Sequence, residues 1–150
     1  MEVASCNVVS RKVLIDRLRK RADFKRLATS SQIISNLAPN NVGSVSKIIK
    51  SKSFIMQYAP FSSGFSKESP LARYGLTITK KVGNAVKRNR LRRRLRAIIV
   101  QLFPSLAIPF YDYVFIGRES GLHQDFLLLQ EEITKALGKA QQNALLISKS

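Results

Sequence analysis

Two periods of hydrophobicity alternate along the chain. In SFIMQYAPF every second residue is large and apolar: Phe54, Met56 and Tyr58 fall on one side, Ile55 and Gln57 on the other. That alternation predicts a strand, which Pro60 ends. ARYGLTITK predicts a second strand, with Tyr74, Leu76 and Ile78 on one face and Arg73, Gly75, Thr77 and Thr79 on the other. Such a strand buries one side and offers the other to solvent or a ligand. After Gly83 the period becomes that of a helix. Leu91, Leu95, Ile98, Ile99 and Leu102 fall at i, i+4, i+7, i+8 and i+11, a narrow apolar stripe, with Asn84 placed to cap the helix and Pro104 just past its expected end. YDYVFIG, between Pro109 and Gly117, predicts another strand. Residues 122–146 predict an amphipathic helix with Phe126, Leu129, Ile133, Leu137 and Ala140 inward. Upstream, residues 16–29 predict a short helix whose sparse apolar face is Leu18, Phe24 and Leu27.

The predicted order is helix, strands, helix, strand, helix: an α+β sandwich with helices packed on a sheet. A further strand is expected between Ser53 and Lys81. Residues 1–15 show no period and are expected to form a flexible extension. The domain is expected over residues 16–142, with the Ser/Asn-rich residues 30–50 as a loop or insertion and 143–150 as a tail. FSSGFSKESP reads as a turn-forming linker.

Length and charge narrow the possibilities. A chain of 150 residues, 45% hydrophobic, suits one domain with a real core. Lys and Arg number 26 against 9 Asp and Glu, giving +17 and a pI near 10.7. Self-repulsion on that scale favours a monomer when free and a polyanion as partner. No run approaches the ~20 consecutive apolar residues of a membrane span, and the N-terminus does not read as a secretory signal. Single Cys6 and single His123 exclude an internal disulfide and a His/Cys metal cluster. A reducing cytoplasm is the expected compartment.

The charge is concentrated. Residues 80–96, KKVGNAVKRNRLRRRLR, hold nine Lys and Arg and no acid. With Leu91 at the centre of the buried stripe, Asn89, Arg90, Arg93 and Arg94 point away from it. Lys87 and Arg94 line one flank, Arg92 and Arg96 the other, and Arg88 lies nearer the apolar side in the first turn. A solubilising helix face usually interleaves Glu with Lys. Guanidinium groups without partner acids are free to grip phosphate oxygens bidentately, and a capped helix N-terminus favours an anion. If roughly six of these side chains meet phosphates, affinity falls about a thousandfold between 50 and 200 mM salt. A solvated face without a partner and an anionic membrane surface are the competing readings. The first is disfavoured by the density of the run. The second is disfavoured because the apolar stripe is needed by the core. No DNA-reading motif is present. Strands with aromatic and Thr side chains suit single-stranded RNA, with Phe24, Phe54, Tyr58 and Tyr74 as stacking candidates, each weighed against burial in the core. Asp112, Glu119 and Asp125 are scattered and show no spacing for a protein-borne nuclease site.

TKKVGNAVKRNRLRRRLR, residues 79–96, resembles the signature of the protein subunit of bacterial ribonuclease P, with Arg88-Asn89-Arg90 at the centre of that family's RNR motif. Residues 17–24, RLRKRADF, resemble its N-terminal helix entry, and Tyr111–Gly117 and the last helix also correspond, so that the resemblance covers roughly residues 16–140. The resemblance implies an α-β-β-β-α-β-α fold of ribosomal-protein type with a left-handed βαβ crossover, which general rules disfavour. It implies a protein that assists a catalytic RNA in removing the 5′ leader from precursor tRNA. The chemistry belongs to the RNA, and Mg²⁺ is held by the RNA and substrate with no dedicated protein site. Lys80, Lys81, Asn84, Lys87, Arg88, Asn89, Arg90, Arg92, Arg93 and Arg96 are the expected RNA-binding residues. Phe24, Phe54 and Tyr58 are the expected leader cleft. Ala28 replaces a second aromatic that many members carry, and residues 30–50 exceed the usual connection. The alternative is a non-catalytic structural RNA-binding protein of ribosomal type.

Overall fold

The structure is a computed structural model that describes residues 13–25, 27, 47–60 and 71–149. Five strands form one sheet: β1 (Leu14–Arg17), β2 (Lys47–Lys50), β3 (Phe54–Pro60), β4 (Leu71–Ile78) and β5 (Tyr111–Gly117), in the order β1-β4-β5-β3-β2. Helical residues 21–25 and 27 follow β1, a central helix spans Ala85–Leu106, a single turn Ser120–His123, and a C-terminal helix Phe126–Lys149. β4 and β5 are parallel neighbours joined through the central helix, whereas β3 pairs antiparallel with both β5 and β2.

The predicted alternation sorts the sheet into two faces. Phe54, Met56, Tyr58, Ala72, Tyr74, Ile78, Tyr113 and Phe115 join Leu91, Leu95, Ile98, Ile99 and Phe103 of the central helix in one core. Leu129, Ile133, Ala136, Leu137 and Ala140 of the C-terminal helix complete it. The opposite face carries a smaller cluster in which Leu18, Leu27, Ala59 and Val114 pack with Phe24 and Ile116. A side chain at Gly75 would run into the Phe24 ring, so the bare backbone there is what lets the first helix lie close on the sheet.

Several expectations change. Residues 14–17, expected at the border of extension and helix, form a parallel edge strand on β4, and the expected loop gives its last four residues to β2. The central helix runs through Pro104 to Leu106. The proline withholds a donor from the carbonyl of Val100, and helical bonding resumes after it, with the Ala107 N–H donating to the Phe103 carbonyl at 3.0 Å. Phe126, expected inward, is 39% exposed. The linker 61–70, residues 1–12, Ala28 and the loop up to residue 46 lie outside the described residues.

Asp112 of β5 is fully buried, and Arg73 of β4 holds it through Nε and Nη2 at 2.7 and 2.8 Å. Asp23 of the first helix lies 3.8 Å from the same guanidinium, which ties that helix to the sheet. Removing one member of such a pair strands a buried charge, at a cost of about 3–5 kcal/mol.

Beneath the helices lies an aromatic layer. Phe103 meets Tyr113 edge-on at 5.0 Å between ring centroids, and Tyr58 stacks on Tyr113 at 6.0 Å. The Tyr113 hydroxyl accepts from the Ile108 N–H at 2.9 Å, pinning the turn out of the helix, and the Tyr58 hydroxyl accepts from Asn143 at 3.1 Å. Burial pushes the Tyr58, Tyr111 and Tyr113 phenols above their ordinary value of 10.0. The unfolded chain therefore releases these protons first as pH rises, and for fully buried Tyr113 the folded state loses stability above pH ~10 by up to about 1.4 kcal/mol per pH unit. Comparing urea midpoints of wild type and Tyr113→Phe from pH 8 to pH 11.5 tests this. Above pH 10 wild type should lose stability relative to the variant; a constant difference would show that burial of Tyr113 does not hold its proton.

Candidate nucleic-acid interface

The basic segment begins in a single turn, Lys80–Val82, where Lys80 and Lys81 are exposed and Val82 is buried as an anchor. Gly83, at φ 145°, turns the chain into the helix, a conformation that favours glycine. Asn84 then caps it as predicted: its side-chain oxygen accepts from the Lys87 N–H at 3.0 Å. Along the helix the leucine stripe faces the sheet and the charges divide into three rows.

Lys87, Asn89, Arg90 and Arg93 are exposed on the outer surface. Arg88, Arg92 and Arg96, four residues apart, form a half-buried row on one flank. Asn89 accepts from Arg92 Nη1 at 2.8 Å and so fixes the direction of that fork. The Nε groups of Arg88 and Arg96 are shielded and meet no protein acceptor. Among the described residues no carboxylate forms an ion pair with any arginine of this helix. The guanidinium groups of this row therefore remain available to an external anion.

Arg94 behaves differently. Expected to point outward, it turns toward the C-terminal helix and donates to the carbonyls of Leu122, at 3.0 Å, and Gln124. Those carbonyls belong to the turn that leads into the C-terminal helix. Arg94 is therefore a clasp between the helices and stands outside the basic ridge. Placing Leu91 at the centre of the stripe could not reveal this, because it says nothing of where the second helix packs.

The expected aromatic cleft is not assembled as expected. Phe54 and Tyr58 are 0% and 2% exposed and face the helix-covered core, whereas half-buried Phe24 lies on the other face, over Gly75. Beside Phe24 the sheet presents two rows set by strand register: Gly75–Val114–Gln57–Ile48 and Thr77–Ile116–Ile55–Lys50. Ile55, Thr77 and Ile116 are partly exposed, and Ile48 and Lys50 are exposed. The alternation contained these residues. The larger aromatics drew the choice to the helix-covered face, because large rings on a strand are what a core demands.

Asp112 is committed to Arg73, and among the described residues no group of three or more His, Cys, Asp and Glu side chains could hold a metal ion. Nor, among those residues, is any helix long and apolar enough to cross a membrane.

Comparison with known proteins gives the family and the fold. The family model Ribonuclease P matches residues 40–141. The ribonuclease P protein component of Paramagnetospirillum magneticum is 41% identical over 123 residues, 82% of this chain and 80% of that one. Its counterpart from Caulobacter vibrioides is 34% identical over 122 residues, 81% of this chain and 68% of the relative. The solved RNase P protein of Staphylococcus aureus superposes with a TM-score of 0.60 at 23% identity, over 83% of this chain and 94% of that one. That of Thermotoga maritima gives 0.59 at 22%, over 83% and 96%. At such identities the two structures speak for the fold.

The double variant Arg90→Ala/Arg93→Ala should weaken RNA binding by roughly tenfold or more at 100 mM salt and lower the slope of log K against log salt by about two, with native circular dichroism. Arg94→Ala should instead lower the melting temperature and leave that slope within about 0.5 of wild type, because it frees two carbonyls and removes no phosphate contact. Equal slopes in wild type and double variant would remove this face from the interface.

Proposed function

The chain belongs to the ribonuclease P protein family, and from that premise we propose that its arginine ridge holds the catalytic RNA while the sheet face beside Phe24 receives the 5′ leader of precursor tRNA. Its function is that of the protein subunit of ribonuclease P, part of an endoribonuclease complex that processes tRNA. What carries the proposal is the ridge itself. Arg88, Arg90, Arg92, Arg93 and Arg96 have no acid paired with them among the described residues, and two of their forks have buried donors that the protein leaves unmet.

The division of labour follows from the chemistry of the side chains. Arginine forks and a capped helix N-terminus can bind and neutralise phosphates, which positions RNA strands that would otherwise repel one another. They offer no general base and no metal cage. Mg²⁺, on this reading, is held by the RNA subunit and substrate, and the protein acts on it only through the RNA shape it stabilises. Lys80, Lys81, Asn84 and Lys87 extend the ridge at its start, although Asn84 spends its side chain on the cap. Phe24 gives the leader a ring to stack on, and the partly exposed Thr77, Ile55 and Ile116 give it a floor. Phe54 and Tyr58 support that floor from behind. The place of action is the cytoplasm.

Multiple-turnover cleavage of a precursor tRNA at low Mg²⁺ tests the function, using the cognate catalytic RNA alone, the protein alone, and both. Cleavage at the mature 5′ end should be efficient only with both. Tight RNA binding without stimulation would make the chain a structural RNA-binding protein instead, and metal-dependent cleavage by the protein alone would overturn the assignment of chemistry to RNA.

A further inference from the structure

One arginine on the sheet face beside Phe24 is turned inward. Arg73 of β4 shares that face with Gly75 and Thr77, and its side chain is 12% exposed. Strand register places it between Asp16 of β1 and Asp112 of β5. Asp112, fully buried, accepts from both Nε and Nη2 of the guanidinium. Its Nη1 lies 3.8 Å from Asp23 Oδ2. Two carboxylates against one guanidinium leave an excess of negative charge, so this arginine does not draw in a phosphate. A buried ion pair contributes little net stability over apolar residues of similar volume, so what it positions matters more than what it stabilises.

What it positions is the neighbour of Phe24. Asp23 and Phe24 are consecutive, and their contacts on β4 alternate with the strand: Asp23 at Arg73, the Phe24 ring at Gly75. Arg73 and Gly75 point to the same side of β4 and lie about 7 Å apart along it. A Cβ at Gly75 would collide with the far end of the Phe24 ring and come within 3.3 Å of Leu18 Cδ1. The ring is therefore seated on bare backbone, with the ion contact beside it. Helical residues 21–25 and 27 are too few to hold an orientation by themselves, so contacts with the sheet must set it. The competing reading makes Asp23 only a favourable charge in a first helical turn. That reading leaves the guanidinium beneath it without a purpose.

We propose that Asp23, Arg73 and Asp112 are positioning residues for leader recognition. Asp112 fixes the guanidinium, the guanidinium fixes Asp23, and Asp23 keeps the Phe24 ring over Gly75 with its exposed part turned to a nucleobase. The inference rests on the reading of this face as the leader site. Phe24 touches the leader, whereas the three charged residues act only through where the ring stands. Arg73 and Asp112 are poor probes, because removing either strands a buried charge. Asp23, at the outer end of the chain of contacts, can be changed without doing so.

Cleavage kinetics of the assembled ribonucleoprotein test this, comparing a precursor tRNA that bears its full leader with one trimmed to a single leader nucleotide. The readout is the leader advantage, the ratio of kcat/KM for the two substrates. Phe24→Ala should lower that ratio about tenfold, the loss of one stacked base. Asp23→Asn should lower it about fivefold, through KM for the full leader and with native circular dichroism. Asp23→Glu, which keeps the charge, should restore it to within a factor of about two. Gly75→Ala displaces the ring directly and should match Asp23→Asn. Asp23→Asn/Phe24→Ala should be no worse than Phe24→Ala alone, because nothing is left to position. A merely structural loss would lower both substrates together and leave the ratio intact, which would overturn the proposal. If Phe24→Ala removes the advantage and Asp23→Asn keeps it, the positioning role is wrong and the leader site stands. If Phe24→Ala keeps the advantage, the leader site is wrong and the inference falls with it. Additive losses in the double variant would also overturn it, since Asp23 would then act without the ring.

Discussion

A helix carrying this much like charge stays folded only because a strip of apolar side chains holds it to the sheet. Leu91, Leu95, Ile98, Ile99 and Phe103 are each 0% exposed, and every arginine of the ridge is displayed by the backbone that these five residues fix. Fully burying each such side chain stabilises the fold by roughly 1.5–3 kcal/mol, enough to outweigh the repulsion among partly screened guanidinium groups. The same strip determines which arginines can reach RNA. Those opposite it or on the free flank are presented, and Arg94, on the flank beside the C-terminal helix, becomes a fastener. Binding and folding are thus set by one rotation angle of one helix.

The rest of the molecule serves that arrangement. The parallel pair β4 and β5 takes the helix across its ends, and the Tyr113 hydroxyl holds the return turn through Ile108. The buried Arg73–Asp112 pair stitches the two strands and reaches Asp23 in the first helix. Charge is sorted by surface: arginine on the central helix, acids and exposed leucines on the first turns of the C-terminal helix. A chain that meant only to be soluble would mix the signs.

The sequence made part of this plain. Strands β3, β4 and β5 were legible from alternation, and the central helix from the leucine stripe and the Asn84 cap, because each signal is local and repeated. The four-residue edge strands β1 and β2 were not. LIDR and KIIK are too short to show a period, and long-range pairing creates them. Pro104 misled as a stop signal because a proline withholds a single donor from the turn before it, and helical bonding resumes beyond it between Ala107 and Phe103. Phe54 and Tyr58 misled for a different reason. Alternation separates two faces of a strand but cannot say which one the helices cover, and aromatic size favours the core. Arg94 looked like its neighbours since its partners are backbone carbonyls nearly thirty residues away.

The account's central claim is that the arginine ridge faces the catalytic RNA and the C-terminal helix faces away from it. Tethered cleavage measures this directly. A hydroxyl-radical source is attached through a cysteine placed at Arg93 or at Glu131, in chains with Cys6→Ser, and the assembled ribonucleoprotein is probed for strand scission. The account predicts localised cuts in the catalytic RNA from position 93 and none above background from position 131. Comparable cuts from both positions, or cuts from position 131 alone, would contradict it.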